Sequence, residues 1–332
     1  MTIEIVASIC IPAYNRASLL QRAIESIRAQ TETRIEIVVS DDASTDATPQ
    51  VAQDLAAKDP RIRCLRNERN LGLVGNWNRC LAEARAPLMC LLNDDDTLAP
   101  EGIETGCRLL RRFPEAVMSA GASRHYRLTG ELLRINRPFA EERLLSPVEA
   151  HRTIWLRNPW QISQFVFRTE SARRIGGFYE PVGWCNDTDF ILRMTARGLI
   201  VVTPVEMAAW YKHPGQLSGT RDRQMQEWRR RMVEHVMAEV KDNPDLAALR
   251  PLAEKGYLSS YAVYSAAAAL KRGKTEECRK FLKVARSIGL PFNPRHKAMY
   301  FLLKASLAAP GGAAAFQAAL APILCRIAAR YG

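Results

Sequence analysis

The sequence predicts an α/β fold, a mixed and mainly parallel sheet flanked by helices, followed by an α-helical C-terminal region. Three observations carry this. Short β-rich runs alternate with helix-period segments over the first hundred residues. Polar clusters recur just past the ends of three of those runs. The last third shows apolar residues at helical spacing with basic residues between them. Strands alternating with helical segments imply βαβ units, which need parallel pairing.

The elements follow in order. "IEIVASICI" is rich in β-branched residues and is expected to end as a strand at Pro12. "ASLLQRAIESIRAQ" carries Leu19, Leu20, Ala23, Ile24 and Ile27 at helical spacing. "RIEIVVS" is a second strand, "DDASTD" a turn and "TPQVAQDLAAK" a helix that opens on Pro49. "RIRCLRN", "GNWNRCLAEAR" and "PLMCLL" continue as strand, helix and strand. The middle of the chain mixes both signals and is rich in aromatics, among them Trp155, Trp160, Phe165, Phe167, Phe178, Tyr179 and Trp184. Beyond residue 220, Met225, Trp228, Met232, Val236 and Val240 form one helical stripe, with Arg229, Arg230 and Arg231 expected opposite. Further helical segments are expected over about 257–270, 275–287 and 298–309 and near the end.

Composition narrows the function classes. The 332 residues are 47% hydrophobic and 25% charged, a globular profile. The 8 cysteines are scattered without a C-x-x-C pair, which argues against a zinc site or a disulfide framework and for reduced thiols. Glu4 stands where a signal peptide would carry basic residues, so a cytoplasmic location is expected. The longest weakly polar tract, 308–325, is interrupted by Pro310, Gly311, Gly312, Gln317 and Pro322 and does not read as a membrane span. Residues 221–332 hold 20 Lys and Arg against 9 Asp and Glu, while the first 220 hold 27 and 26. Polyanion binding, if any, therefore belongs to the C-terminal third.

The run "LLNDDDTLAP" places Asp94, Asp95 and Asp96 directly after an apolar strand. Like charges repel, and buried carboxylates cost several kcal/mol each unless paired or metal-bound. A lone acidic run is usually a turn or a cap. Here "PAYN", "DDAS" and "NDDD" follow the first, second and fourth strands, at the end of the sheet where ligands of open α/β folds bind. Acidic residues at two such strand ends fit a nucleotide and a divalent cation.

Six segments in order, "SICIPAYNRASLLQRAIESIRAQ", "EIVVSDDASTD", "NLGLVGNWNRCL", "LLNDDDTLAP", "RRIGGFYE" and "NDTDFILRM", resemble the motifs of family 2 glycosyltransferases with the GT-A fold. The likeness covers about residues 3–217. It implies a metal-dependent, inverting transfer from a nucleotide-sugar, of the UDP or dTDP kind, to an acceptor hydroxyl. By position it assigns Asp95 to the metal, Mn²⁺ or Mg²⁺, with Asp96 as a further metal residue and Asp94 on the donor-binding side. Asn93 takes the place of the Asp that faces the ribose. Pro12, Ala13, Tyr14 and Asn15 match the stretch that wraps the nucleoside, Asp42 the carboxylate that reads the base, and Asp41 its support. Asp187 matches the general base, with Asn186 in place of the usual Glu. His213 lies where relatives carry a histidine near the diphosphate or metal.

Bland readings stand beside these. "DDAST" also reads as a turn with Ser44 or Thr45 capping a helix. Asp189 is expected to be a first-turn acid facing the helix dipole. Trp160, Gln161 and Trp184 either line an acceptor site or pack a core. Gly176 and Gly177 serve a backbone turn.

Rival functions fare less well. A D-x-D-x-T phosphatase would need its nucleophilic Asp where Asn93 stands. A sugar-phosphate nucleotidyltransferase would need a glycine-rich loop that "IPAYNRAS" lacks. A non-catalytic nucleotide-sugar or carbohydrate-binding module accounts for Asn93 and Asn186 but not for the retained Asp95 and Asp187. No nucleic-acid-binding motif is present.

The expected organisation is a transferase domain over 1–220, split into a nucleotide-sugar half (1–100) and an acceptor half (101–220), and a basic helical region over 221–332. The resemblance implies a saccharide or lipid-linked saccharide acceptor used in surface polysaccharide or glycolipid synthesis. The basic helices read either as a solvated bundle or as a contact with the anionic inner face of the cell membrane. Candidate contacts are Arg229, Arg230, Arg231, Lys271, Arg272, Lys274, Arg326 and Arg330.

Overall fold

The computed structural model describes residues 4–213 and 223–308. It divides into two compact units, Met1–Ala150 with Pro159–Gln216, and His151–Asn158 with Leu217–Gly332. The second unit thus takes in a short segment from the middle of the chain.

In the first unit, β1 (Ala7–Ala13), β2 (Ile35–Asp41), β3 (Ile62–Arg66) and β4 (Leu88–Leu91) alternate with α1 (Ala17–Arg28), α2 (Thr48–Ala56) and α3 (Gly72–Glu83). All three adjacent pairs, β1 with β2, β2 with β3 and β1 with β4, are parallel. β1 runs through Pro12 instead of stopping there. Its register with β4 closes at Cys10 and Leu91, so at Pro12 the ladder is one-sided and the missing N–H matters less. The buried face of α1 is Leu20, Ala23, Ile24 and Ile27, the i, i+3, i+4, i+7 stripe. It packs with Ile9, Ile11, Ile37 and Val39 in one core.

The sheet continues through β5 (Thr97–Leu98), α4 (Gly102–Arg112), β6 (Ala116–Arg127), β7 (Leu132–Asn136), β8 (Arg143–Leu145), α5 (Pro147–Arg157), β9 (Phe165–Arg168), α6 (Thr169–Arg174), α7 (Asn186–Thr195) and β10 (Leu199–Lys212). The strand order is β3-β2-β1-β4-β9-β6-β10-β5, with β7 beside β6 and β8 beside β10. β9 is antiparallel to both β4 and β6, whereas β6 and β10 pair in parallel from end to end with bulges between, the largest at Val202–Glu206. The sheet is therefore parallel in its first half and mixed in its second.

The second unit holds α8 (Arg223–Glu239), α9 (Pro244–Ala247), a π-helical turn at Leu252–Leu258, α10 (Ser259–Lys271), α11 (Thr275–Ile288) and α12 (Pro294–Ala308). Ala262, Val263, Ala266, Leu270, Phe281, Leu282, Ala285, Met299, Tyr300 and Leu303 form its core. Trp155 of α5 is fully buried and meets Tyr257 edge-on at 5.5 Å. Arg229 departs from expectation. It lies on the buried stripe with Met225, Met232 and Val236, at spacings of four, three and four, and its guanidinium covers the Tyr261 ring at 4.0 Å. Among the described residues no helix is long and apolar enough to cross a membrane.

Candidate active site

The ends of β1, β2 and β4 bring three loops together. The Asp42 N–H donates to Ala13 O at 2.9 Å, and the Tyr14 N–H approaches Asp94 Oδ2 at 3.4 Å. Asn15 adopts φ 53°, a left-handed conformation that Asn tolerates better than most residues. Its side-chain oxygen accepts from the Thr45 N–H at 2.8 Å, and its own N–H donates to Ser44 Oγ at 2.9 Å. Ser44 and Thr45 therefore clamp the β1 loop. The N-cap of α2 is Ala47 with no side-chain bond, so the capping alternative is not what forms.

Asp42 is buried and accepts from Asn67 Nδ2 (2.8 Å), the Leu71 N–H (2.8 Å) and the Gly72 N–H (3.0 Å). Its carboxylate thus ties the start of α3 to the end of β2. Asp41 is held by Arg66 at 2.9 Å and by the Ser44 N–H.

The loop after β4 sorts its three carboxylates. Asp95 keeps 21% of its side chain exposed, and its Oδ2 lies 2.9 Å from His213 Nε2, just past the end of β10. Its backbone carbonyl accepts from the Arg22 guanidinium at 2.8 Å, which also lies 3.7 Å over the Tyr211 ring. Asp96 turns into the protein and is 1% exposed. Its Oδ2 accepts from Ser163 Oγ at 2.6 Å and Asn93 Nδ2 at 3.3 Å, while Oδ1 is buried without a hydrogen bond among the described residues. Burial and the Asp95 charge push the Asp96 carboxyl well up. The same causes push Asp94 up to about 8.

The structure therefore joins Asp95 to His213 and keeps Asp96 apart, bound to Ser163 and Asn93. Among the described residues no group of three or more His, Cys, Asp or Glu side chains forms a metal cage. The partly exposed Asp95 carboxylate could offer a hard oxygen to a divalent cation, with His213 beside it.

Asp187 stands in the first turn of α7 after a 3₁₀ segment, Glu180–Cys185, whose Gly183 adopts φ 54° and ψ −127°. Its Oδ1 accepts from the Thr188 N–H at 2.6 Å. Burial raises its pKa. Among the described residues it makes no hydrogen bond to the 93–96 loop. Asn186 beside it is 1% exposed, and its amide nitrogen has no partner among the described residues. Asp189 is the first-turn acid expected of α7, and it has a second partner. It forms a buried ion pair with Arg193 at 2.7 Å, because four residues separate them on one helix face. Arg193 also donates to the carbonyls of Ile175 (2.7 Å) and Gly177 (2.6 Å). This pins the turn at Gly176 and Gly177, whose φ values are 79° and 68°. A Cβ on Gly177 would stand 2.5 Å from Asn78 Oδ1.

Of the expected acceptor residues, Trp160 is buried, stacks on Phe139 and meets Phe165 edge-on. Gln161 forms a capping box with Gln164. Trp184 is half-buried. Arg22, Asn67 and Ser163, which hold the loops, carried no sequence signal, since none lies in an acidic run and their partners are distant in the chain.

The sheet, parallel in its first half and mixed in its second, with a carboxylate loop at the end of β4, has the GT-A fold. The chain belongs to glycosyl transferase family 2, whose profile matches residues 8–173. It is 39% identical over 99 residues to the GalNAc(5)-diNAcBac-PP-undecaprenol beta-1,3-glucosyltransferase of Campylobacter jejuni, covering 30% of this chain and 32% of that one. The structure of S. aureus TarS 1-349 in complex with UDP-GlcNAc superposes with a TM-score of 0.66 at 15% identity, covering 91% of both chains. The mannosyltransferase PcManGT of Pyrobaculum calidifontis, in complex with GDP-Man and Mn²⁺, superposes with a TM-score of 0.53 at 18% identity over 96% of this chain and 88% of that one. The aligned part of this chain spans about two thirds of one curated relative and a third or less of the next three.

Proposed function

We propose that this transferase is metal-dependent and inverting, and that it moves a sugar from a UDP- or dTDP-sugar to a hydroxyl of a saccharide acceptor, lipid-linked and destined for a surface polysaccharide or glycolipid. The observation that carries the reading is the meeting of Asp95 and His213 at 2.9 Å, at the end of the sheet where nucleotides bind. Asp95 and His213 would hold Mn²⁺ or Mg²⁺ against the diphosphate, and the ion neutralises charge on the leaving nucleoside diphosphate. Tyr14, Asn15, Asp42 and Asn93, with the backbone of Pro12 and Ala13, line the nucleoside side. Burial and the neighbouring Asp95 charge raise the Asp94 carboxyl and so disfavour three adjacent charged carboxylates in the metal-free loop. Asp96 anchors the loop through Ser163.

Asp187 takes the proton of the attacking hydroxyl. The acceptor oxygen bonds to the anomeric carbon as the carbon–phosphate oxygen bond breaks, and the bonding pair leaves with the nucleoside diphosphate. Configuration at that carbon inverts because the displacement is single. A carboxylate with a raised pKa is a better base at neutral pH than an ordinary one. The undecaprenol-linked substrate in the name of the Campylobacter relative supports a lipid-linked acceptor. Such an acceptor would be met at the inner face of the cell membrane, with the chain attached there peripherally.

The test is a panel of nucleotide-sugars scored for hydrolysis and thermal shift with Mn²⁺, with Mg²⁺ and with chelator. One UDP- or dTDP-sugar should stand out, and chelator should abolish both signals. Equal hydrolysis with and without chelator would overturn the metal assignment.

A further inference from the structure

After Glu277 the chain carries no acidic residue. Residues 278–332 hold 9 Lys and Arg and not one Asp or Glu. Solvated helix faces usually intersperse both signs, so this tract is unlike the rest of the surface. Within the second unit, the tract builds α11 and α12. Cys278, Phe281, Leu282 and Ala285 turn inward on α11, as do His296, Met299, Tyr300 and Leu303 on α12. Beyond the first turn of α11, which carries the exposed Glu276, what remains outside is mainly basic and apolar. Lys280, Lys283 and Arg286 are exposed on α11, and Arg295, Lys297 and Lys304 on α12. None of these six forms an ion pair among the described residues. Phe301 and Leu302 are each 50% exposed on α12, and so is Phe292 just before it. Lys297, Phe301 and Lys304 follow one another at spacings of four and three, which sets the aromatic ring between two ammonium groups on one helix face.

Four of the basic residues singled out from sequence behave differently. Arg229 is buried over Tyr261, Arg230 and Arg231 are both taken up by Glu227, Arg230 also bonds Glu234, and Lys274 pairs with Glu277. Arg326 and Arg330 lie outside the described residues.

We infer that the outer faces of α11 and α12 form a docking surface for an anionic lipid bilayer, with Phe301 and Leu302 entering the headgroup boundary and the surrounding Lys and Arg facing lipid phosphates. Charge complementarity selects this occupant. The carboxylates of this surface, Glu276 and Glu277, are confined to the first turn of α11 and are paired with Arg279 and Lys274, and beyond them aromatic side chains stand between long basic ones, which suits an anionic interface. Each basic residue near such a surface strengthens binding about five-fold. The inference rests on the reading that the chain works at a membrane face, but not on the transfer reaction itself.

The test is flotation of the full chain with phosphatidylcholine vesicles and with mixed phosphatidylcholine–phosphatidylglycerol vesicles, at low and high salt. The protein should float with the mixed vesicles only and be released by salt. Lys297→Glu with Lys304→Glu should weaken binding at least about ten-fold. Phe301→Ser with Leu302→Ser should also weaken it, and the remaining binding should be more sensitive to salt. The control Lys58→Glu with Lys241→Glu changes net charge equally at exposed sites elsewhere and should cost far less. The inference fails if the protein floats with neither vesicle or with both alike, or if the control falls as far as the α12 pair. It also fails if light scattering finds a dimer that Phe301→Ser with Leu302→Ser dissolves, because the face would then be a subunit contact. Nucleotide-sugar hydrolysis without vesicles, measured on the same variants, separates the two readings. Lost flotation with intact hydrolysis confines the fault to the surface, and vesicle binding without any hydrolysis confines it to the proposed reaction.

Discussion

Asp189 and Arg193 close an ion pair at 2.7 Å with both side chains almost wholly removed from solvent. The pair is one turn of α7 long, yet it reaches outside the helix, since Arg193 also holds the carbonyls of Ile175 and Gly177. It fixes the start of the segment that leads to Asp187. Breaking a buried pair strands the remaining charge, which typically costs about 3–5 kcal/mol. Asp189→Ala should lose stability of that order in denaturant unfolding. Asp187→Ala, two residues earlier and only part-buried, should lose far less. Equal losses would show that the Asp189–Arg193 pair has no special weight.

Asp95 and His213 should act as a unit in metal binding. Asp95→Ala should remove Mn²⁺-dependent affinity for the nucleoside diphosphate while the fold persists, because its own side chain is partly exposed. His213→Ala should weaken that affinity less, since the carboxylate remains as the oxygen ligand. Calorimetry with and without Mn²⁺ measures both. Unchanged metal-dependent affinity in Asp95→Ala would remove it from the site.

The first half of the fold was legible because hydrophobic period and turn residues agree there. Each of β1 to β4 and α1 to α3 coincides with its sequence segment to within a few residues. The second half was less legible because antiparallel β9 enters between β4 and β6, and nothing local in "FVFR" encodes which strands it joins. The loops of the candidate site were readable as acidic clusters at strand ends. Their internal division of labour was not. That Asp96 turns inward depends on Ser163, 67 residues away, and the pairing of Asp95 depends on His213, 118 residues away. Likewise the sequence placed Arg229 with its basic neighbours, whereas helical geometry puts it on the apolar stripe beside Tyr261.

Asp94 should make the metal-free protein's stability fall with rising pH. Its carboxyl is pushed from 3.8 to about 8, so the folded state holds a proton that the unfolded state releases. Stability is then highest below the ordinary value and declines across that window. Asp94→Asn should flatten this decline, raising the melting temperature above neutral pH and leaving it unchanged in acid. A variant whose pH–stability curve overlays that of the wild type would show that Asp94 ionises normally.

Asp187 should set the acidic limb of the transfer reaction. Asp187→Asn keeps size and shape and should preserve donor binding, while transfer falls by at least about a hundred-fold. Because burial raises the pKa of Asp187, the wild-type rate should be low in acid, where the carboxyl is protonated and cannot accept the hydroxyl proton. It should climb as pH rises through that raised value. The residual rate of the Asn variant should lack that climb, since the variant has no group to titrate there. Donor affinity and single-turnover rate, measured across pH for both proteins, separate binding from chemistry. A variant as active as wild type, or one that retains the same acidic limb, would assign the base to another residue.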